Sequence, residues 1–422
     1  MPKRKKKRLT ARKKTKQART KVLKTARRAK KVVFLVIDGL ADLPAEERTP
    51  LSEARKPNLN FFAKNGVTGE LNLIPKSLWT PSARGSVSHI INISLLGYDP
   101  KKFSIKRGPL EAVGANLPYK EGQLALRCNF ATVDKEMMIT DRRAGRSSLG
   151  LDEIARYINE NVKIGAEFVL MRTYKHRAVL VIKMALSDKI SDSDPYVSGV
   201  PPKKVSALSP EALVSAKMVQ TFIDETRKVI EYLPANSMRI DKGLLPANYI
   251  LTRDAGNDIK VLPNFPKKHK LKAVCISENG VMKATCMLAG FDSVTVPENS
   301  TENTLDFIFD NIETSLVEYD FVYAHIKGVD EAGHDGNFEA KKKAIEKIDE
   351  RLEAFKEFKG ILVVTCDHIT SCSTKQHEYG NVPVLVYGKG KGNVKSFDEL
   401  SAKKGKLKNY AGRQLLKFIL GK

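Results

Sequence analysis

The sequence predicts an α/β fold with a doubly wound sheet, interrupted by an inserted α+β domain and preceded by a basic tail. Three segments carry this prediction: KKVVFLVIDGL, YDFVYAHIKGVDEAGHDG and KGILVVTCDHITSC, at residues 30–40, 319–336 and 359–372, each with an apolar run of about five or six residues. Such wholly apolar runs are typical of parallel strands buried on both faces. A mixed-charge segment with helical periodicity, residues 338–358, separates the last two runs. Alternating strands and helices indicate a parallel sheet whose ligands bind beyond the carboxyl ends of its strands.

The basic tail comprises residues 1–31. It holds 17 of the 73 Lys and Arg residues and no acid, so the rest of the chain has 56 basic and 48 acidic residues and is only mildly basic. A polycation of this kind suits phosphate backbones, where binding comes from counterion release. The tail has no aromatic residue to stack on bases, so sequence-specific reading is not expected. Nonspecific contact with RNA or the ribosome is one prediction, and a solubilising tail is the alternative.

The composition excludes several other classes of protein. A hydrophobic content of 42% is too high for a disordered chain, and five cysteines without a CxxC pair do not make a disulfide scaffold. Sparse, unpaired cysteines are typical of reduced thiols in the cytosol, so we expect a cytoplasmic protein. The longest early apolar run, Val32 to Ile37, is far shorter than a membrane span, and neither a membrane segment nor a signal peptide is expected.

The pattern of residues divides the chain into segments. Between about Leu117 and Lys272 it changes to β-rich pieces, polar turns and one long helical segment at 210–233, before α/β character resumes. We therefore expect a basic tail, a first part of the sheet domain, an inserted substrate domain and a second part of the sheet domain, at residues 1–31, 32–116, 117–271 and 272–422.

Acids and histidines follow each of the three strands. They are Asp38, then Asp330 and His334, then Asp367, His368 and His377. Taken singly, each has a structural explanation as a cap, a turn former or a core histidine. Together they provide the oxygen and imidazole ligands that a pair of divalent cations needs. Gly333 and Gly336 favour a loop rather than a helix around Asp330 and His334.

Arginines form a second candidate site. The segment ITDRRAGRSS contains Arg142, Arg143 and Arg146 around a glycine, and Arg253 follows a later apolar strand. Guanidinium groups hold phosphate or carboxylate through paired hydrogen bonds, although a solvated basic turn would have the same sequence. Two cations and an arginine cluster together favour phosphoryl chemistry.

Ten motifs in order then resemble one family. They are VIDGLADLP, TPLSEARKPNLNFFAKNGVTGEL, SLLGYDP, RGPLEAVGANL, LRCNFATV, ITDRRAGR, HRAVLVIK, ANYILTRDAG, HIKGVDEAGHDG and CDH. Together they resemble the archaeal type of cofactor-independent phosphoglycerate mutase, a branch of the alkaline phosphatase superfamily. The resemblance runs from about residue 32 to the C-terminus, so it covers all but the tail.

The resemblance implies an alkaline-phosphatase-like fold and a function in glycolysis and gluconeogenesis. The enzymes interconvert 3-phosphoglycerate and 2-phosphoglycerate through a phosphoserine, with two divalent ions, Mn or Mg, and without 2,3-bisphosphoglycerate. Carried over by motif, Asp38, Asp367, His368 and the serine hold the first metal, and Asp330, His334 and His377 the second. The implied substrate-binding residues are Asp141, Arg142, Arg143, Arg146 and Arg253.

The serine is where this sequence departs from the family pattern. Counting back ten residues from Tyr98 reaches Ser88, but the family's Gly-Ser-Asp is missing there, and Ser86, which follows a glycine, is the alternative nucleophile. Further departures are Cys366, Ile369-Thr370-Ser371, Tyr196 and Asp254. They leave two alternatives open: a metal-dependent phosphatase or phosphotransferase acting on another phosphate ester, and an eroded homologue that binds RNA or ribosomes through its tail.

Overall fold

The computed structural model describes residues 31–44, 48–79, 88–103, 105–278, 280–298 and 301–421. The predicted basic tail, apart from Lys31, and the alternative nucleophile Ser86 lie outside these residues. Among the described helices, none has both the length and the apolar character needed to cross a bilayer.

The strands of the described residues are, in chain order, β1 (Val32–Ile37), β2 (Gly66–Leu71), β3 (Gln123–Val133), β4 (Ile139–Asp141), β5 (Phe168–Tyr174), β6 (Arg177–Ala185), β7 (Tyr249–Gly256), β8 (Ala273–Ser277), β9 (Asp292–Thr295), β10 (Phe321–Ile326), β11 (Ile361–Thr365), β12 (Ile369–Thr370), β13 (His377–Glu378), β14 (Val382–Tyr387) and β15 (Leu407–Tyr410).

The α-helices are α1 (Pro50–Glu53), α2 (Pro57–Asn65), α3 (Ser88–Leu95), α4 (Arg107–Gly114), α5 (Leu151–Asn161), α6 (Leu213–Ile230), α7 (Pro234–Asp241), α8 (Phe265–His269), α9 (Val281–Leu288), α10 (Thr301–Ser315), α11 (Val329–His334), α12 (Phe338–Leu352), α13 (Glu399–Ala402) and α14 (Gly412–Leu420). Short 3₁₀ turns lie at Lys76–Leu78, Ala144–Arg146, Pro210–Ala212 and Glu353–Glu357.

The large sheet has eight strands in the order β15-β2-β14-β11-β1-β10-β8-β9. Its neighbours pair in parallel except on the two sides of β14, which runs against both β11 and β2. Every residue of β1, β8, β10 and β11 is buried. Because successive side chains of a strand point to opposite faces, both faces of the sheet are covered. The predicted α/β class with a mostly parallel sheet is confirmed.

A second, antiparallel sheet is formed by β4, β3, β6 and β5, with β7 pairing to the free side of β3. β3 is buried along almost its whole length, and α5, α6 and β7 supply apolar residues to the same core. The β-rich pieces expected between residues 117 and 272 include β5 and β6, and the helical segment predicted at 210–233 corresponds to α6.

The chain divides into two compact units. Unit 1 comprises residues 1–103, 262–278 and 286–422, and contains the large sheet. Unit 2 comprises residues 104–261 and 279–285, and contains the antiparallel sheet. Unit 2 includes α4, which precedes the segment expected to form the inserted domain, because this helix packs closely on β3. A Cβ at Gly108 would lie 2.1 Å from the carbonyl oxygen of Ala125, so no larger residue fits there.

Candidate functional site

The position of β1 in unit 1 brings distant acids and histidines together. β1 lies between β10 and β11 and runs parallel to both, with Val36 opposite His325 on one side and Thr365 on the other. The three strands therefore end at the same edge of the sheet. The residues that follow them, Asp38 after β1 and Asp367 after β11, meet there although more than 300 positions separate them.

The first group of ligands is formed by Asp38, Asp367 and His368. Nε2 of His368 lies 3.3 Å from Oδ1 of Asp38 and 3.3 Å from Oδ2 of Asp367. One donor atom from each residue fits within a span of 4.8 Å, and Asp367 and His368 are buried. Backbone amides of Gly39 and His368 donate to Oδ1 of Asp367 and fix its carboxylate.

The second group contains Asp330, His377 and again His368, whose donor atoms also lie within 4.8 Å of one another. Nε2 of His377 is 3.4 Å from Oδ1 of Asp330, and Nε2 of His334 is 3.6 Å from Oδ2 of Asp330. The two Nε2 atoms of His334 and His377 are 3.1 Å apart. His334 thus joins this group, and His368 faces both groups.

Asp330 and His334 share one face of a helix, because α11 spans both residues. The expectation of a loop here was wrong. Gly333 does not break the helix but lets it approach β12: a Cβ at this position would lie 2.8 Å from Cγ2 and 2.9 Å from the carbonyl oxygen of Thr370.

Hydrogen bonds select the imidazole tautomers. Oγ1 of Thr370 donates to Oδ1 of Asp330 at 2.6 Å, so it accepts at 3.1 Å from Nδ1–H of His368. Nδ1 of His334 lies 2.9 Å from the carbonyl oxygen of Lys375, which only accepts, so this nitrogen also carries the proton. Nε2 of each ring therefore faces the carboxylates, and a ring that loses its Nε2 proton has the form that binds a metal.

The pKa values of the three carboxyl groups diverge. Burial, followed by the charges of Asp38 and Asp330, raises the pKa of Asp367 well above its usual range. Burial also acts to raise the pKa of Asp330, but the hydrogen bond from His377 and the neighbouring imidazoles outweigh it and hold that pKa well below the usual range. In Asp38 burial and the charge of Asp330 are likewise outweighed, by the hydrogen bond with His368 and the charges of His325 and His368, and the pKa is lowered.

These residues fit divalent cations. Oδ2 of Asp367 and Nδ1 of His377 are buried and have no hydrogen-bond partner within the described part of the chain. Three carboxylates packed together repel one another unless a positive charge lies between them. Mixed carboxylate and imidazole donors of this kind accept several divalent ions.

A buried lysine, Lys341, which was not expected from the sequence, holds the backbone next to the candidate metal ligands. Nζ of Lys341 donates to Oδ2 of Asp42 at 2.9 Å and to the carbonyl oxygens of Ala41 and Thr370 at 3.0 and 2.6 Å. Its ammonium thus ties the loop after β1 to β12. Asp42 in turn accepts the backbone amide of Cys372.

In unit 2, Asp194 holds two of the candidate arginines. Its fully buried carboxylate accepts two hydrogen bonds from Arg142, at 2.7 Å from Nε and 2.6 Å from Nη2, and lies 3.8 Å from Nε of Arg253. Burial acts to lower the pKa of Arg253, but Asp254 and Asp194 raise it, so this guanidinium stays charged. Asp194 was not predicted as a site residue.

The carboxylate of Asp141, a predicted substrate-binding residue, caps its own loop. Oδ1 accepts the amide of Arg143 at 2.6 Å and Oδ2 the amide of Gly145 at 3.3 Å. Burial, reinforced by the charges of Arg146 and Arg142, lowers the pKa of Arg143 to about 10. The loop therefore concentrates positive charge that a bound anion would offset.

Two departures from the family pattern meet in unit 2. The ring of Tyr196 lies 5.4 Å from the guanidinium carbons of both Arg142 and Arg253, and its hydroxyl donates to Oδ2 of Asp192 at 2.8 Å. Oδ1 of Asp192 accepts the amide of Asp254 at 3.0 Å. Tyr196 and Asp254 both have positive φ, +67° and +55°. Asp192 therefore couples the two altered positions to the arginines.

Ser88 is the first residue of α3 and is partly buried. Its carbonyl oxygen accepts a hydrogen bond from Nδ2 of Asn92. Within the described residues, its hydroxyl makes no hydrogen bond to the six acids and histidines.

Comparisons with known proteins agree with one another. A family model described as 2,3-bisphosphoglycerate-independent phosphoglycerate mutase matches residues 63–236. The protein of that name from Methanothermobacter thermautotrophicus is 38% identical over 92% of this chain and 97% of its own, and that from Archaeoglobus fulgidus is 36% identical over the same shares.

Two solved structures are similar over 93% of this chain. The PH0037 protein from Pyrococcus horikoshii is 25% identical with a TM-score of 0.74, and 97% of its chain is covered. The cofactor-independent phosphoglycerate mutase from Thermoplasma acidophilum is 32% identical with a TM-score of 0.57, and 99% of its chain is covered.

Proposed function

The chain belongs to the family of 2,3-bisphosphoglycerate-independent phosphoglycerate mutases, and on that premise we propose that it interconverts 3-phosphoglycerate and 2-phosphoglycerate through a phosphoserine. The observation that carries the proposal is the meeting of six acids and histidines at one edge of the sheet: five form two groups that share His368, and His334 adjoins the second group. Family membership does not favour a phosphatase of another specificity or an eroded, non-catalytic homologue.

The proposal includes two divalent cations, Mn or Mg. Asp38, Asp367 and His368 would hold one, and Asp330, His334 and His377 the other. When bound, the cations neutralise phosphate oxygens and lower the pKa of a coordinated hydroxyl.

Ser88 is the proposed nucleophile. Its position at the start of α3 supports this role, because a helix N-terminus stabilises a bound phosphate anion. The serine oxygen forms a bond to phosphorus as the bond between phosphorus and the substrate's hydroxyl oxygen breaks, and the serine proton passes to the departing hydroxyl. The reverse step places the phosphoryl group on the other hydroxyl of glycerate, so no bisphosphoglycerate is needed.

Arg142 and Arg253, oriented by Asp194, would bind the phosphate or carboxylate of the substrate, together with Arg143 and Arg146. Paired N–H groups of a guanidinium match the two oxygens of either anion. Asp141 contributes by fixing the loop that carries three of the arginines.

The test is an assay of the purified protein with Mn²⁺ or Mg²⁺ and 3-phosphoglycerate, coupled to enolase. We expect product without added 2,3-bisphosphoglycerate, and loss of both product and phosphoenzyme in Ser88→Ala but not in Ser86→Ala. A protein with bound metal that forms no product would overturn the proposal. The reverse pattern of the two variants would move the nucleophile to Ser86, and turnover of other phosphate esters in preference would change the substrate.

A separate observation, the charge of residues 1–31, supports a second proposal. Seventeen basic residues without an acid suit nonspecific contact with RNA or the ribosome. We expect the full chain to sediment with ribosomes at low salt and to be released as salt increases, whereas a chain lacking residues 1–31 stays in the supernatant. Sedimentation that does not depend on the tail would contradict this proposal and leave the mutase proposal untouched.

A further inference from the structure

Arg239 is a fully buried arginine in α7. It contacts the loop of unit 2 that carries Arg142, Arg143 and Arg146. Its guanidinium donates to four backbone carbonyl oxygens. Nε reaches Leu245 at 2.9 Å, Nη1 reaches Leu149 at 2.5 Å and Ser147 at 3.2 Å, and Nη2 reaches Ala144 at 2.7 Å. Three of these four oxygens belong to the segment that follows Arg142 and Arg143.

No carboxylate pairs with Arg239 among the residues that the structure describes. A buried charge is costly unless hydrogen bonds satisfy it, and here carbonyl dipoles from two segments do so. Only arginine spreads donors over a rigid planar fork, whereas the three donors of lysine lie on one nitrogen. The geometry therefore specifies arginine at this position.

The segment held by Arg239 has a strained backbone. Ala144, Gly145 and Arg146 have φ values of +41°, +68° and +59° in succession. Residues other than glycine avoid this region, and a strained conformation persists only where its surroundings fix it. Asp141 fixes one side of the turn through the amides of Arg143 and Gly145, and Arg239 fixes the other side through the carbonyl of Ala144.

We propose that Arg239 is a positioning residue for substrate binding: it holds the loop of Arg142, Arg143 and Arg146 in the conformation that binds the anionic substrate. This inference rests on the proposed function for its substrate. Arg239 itself does not touch the substrate, because its side chain is fully buried and four of its five N–H donors bind carbonyl oxygens.

The first experiment measures kinetics and binding. Arg239→Met has a similar volume but no donors, so we expect the KM and the dissociation constant for 3-phosphoglycerate to increase on the order of 100-fold, with a smaller change in kcat. Arg239→Lys, which keeps the charge, should show a smaller increase. Arg172→Met is the matched control, because Arg172 pairs with an exposed carboxylate of Asp152 in the same unit; its KM should stay within about twofold of the wild type.

The second experiment needs no mutase activity and so separates this inference from the proposed function. Amide hydrogen exchange of Arg239→Lys and Arg239→Met should accelerate in residues 142–150 on the order of tenfold or more relative to the amides of α6 and β6. Equal acceleration throughout unit 2, or an unchanged loop with an unchanged dissociation constant for 3-phosphoglycerate, would overturn the proposal. If Arg239→Met does not fold, the same comparison in Arg239→Lys decides.

Discussion

The ammonium of Lys341 lies 2.9 Å from Oδ2 of Asp42, and both side chains are almost completely buried. The same ammonium donates to the carbonyl of Thr370, whose hydroxyl contacts the proposed metal ligands Asp330 and His368. The ion pair between Lys341 of α12 and Asp42 thus holds the loop after β1 against β12, next to the proposed metal ligands.

Replacing Lys341 by methionine should destabilise unit 1 and weaken metal binding. The change leaves the Asp42 carboxylate and two carbonyl groups buried without their partner, so we expect the free energy of unfolding to fall by about 3–5 kcal/mol. Denaturant unfolding and Mn²⁺ titration measure the two effects. Lys342→Met is the control, since Lys342 pairs with the exposed Glu339 and should change stability by about 1 kcal/mol or less. Equal effects of the two substitutions would show that the buried pair has no special role.

Metal affinity should decrease as the pH falls. Burial and the charges of Asp38 and Asp330 raise the pKa of Asp367, so the metal-free protein retains a proton there to a higher pH than an ordinary carboxyl group does, and a cation displaces it. We expect the dissociation constant for Mn²⁺ to rise by roughly tenfold per pH unit for each proton displaced below that pKa. Calorimetry in two buffers of different ionisation enthalpy counts the protons released. Binding that releases no proton, with an affinity that does not fall as the pH is lowered, would contradict this assignment.

The raised pKa of Asp367 makes a contribution of definite sign to the pH dependence of stability in the metal-free protein. A raised pKa of Asp367 contributes stability that is complete below the unfolded-state value of about 3.9 and is lost as pH rises through the folded-state value. The cation removes this loss, because it replaces the proton. Thermal unfolding with and without Mn²⁺ should therefore differ more at high pH than at low pH, and a difference that shrinks as pH rises would contradict the expectation.

Alanine at Gly39 should disrupt metal binding. Gly39 has a φ of +61°, and a Cβ there would lie 2.5 Å from Oγ1 of Thr370 and 2.8 Å from Oδ1 of Asp330. Both oxygens must move away from the added Cβ, which displaces Asp330, so we expect Mn²⁺ affinity to fall on the order of 10–100-fold. Gly165→Ala separates strain from crowding, since Gly165 has a φ of +80° but nothing within 4 Å of the added Cβ. If both variants bind Mn²⁺ equally, crowding at Gly39 is not the cause.

Replacing Asp194 by asparagine should weaken substrate binding without affecting metal binding. The amide keeps the shape of the carboxylate but loses the charge-assisted pair with Arg142 and the contact with Arg253. The KM for 3-phosphoglycerate should rise on the order of 10–100-fold, which corresponds to about 1.5–3 kcal/mol. Asp152→Asn, at an exposed partner of Arg172, is the control. An unchanged KM in Asp194→Asn would show that the arginines need no such anchor.

The parallel sheet was predictable because a strand buried on both faces leaves a wholly apolar run. β1, β10 and β11 lie in the three segments expected to form strands, and parallel strands must end at one edge, so the meeting of Asp38 with Asp367 follows from the sequence. The short helix α11 did not follow. Glycine usually weakens a helix. The helix tolerates Gly333 because this residue packs against Thr370, and a contact between segments distant in the sequence is not visible in a local pattern.

The burial of Lys341 could have been predicted from the sequence, although a charged residue is normally expected at the surface. The buried positions of α12 include Lys341, Ile345, Ile348 and Leu352, a helical stripe in which the lysine takes the place of an apolar residue. A charged residue on such a stripe indicates a buried ion pair. The burial of Arg239 and Asp194 could not be predicted in this way. Their partners are carbonyl groups and side chains that come together only in the folded unit.

The order of the chain affects how the protein is made. β1 is synthesised first and lies at the centre of the large sheet, yet its neighbours β10 and β11 come from the last part of the chain, after unit 2. A nascent chain can therefore complete the antiparallel sheet of unit 2 while the apolar β1 still has no strand to pair with. The last of the six acids and histidines, His377, is synthesised after β1, unit 2 and β11. We therefore expect the full set of proposed metal ligands to come together only after the antiparallel sheet of unit 2 can have formed.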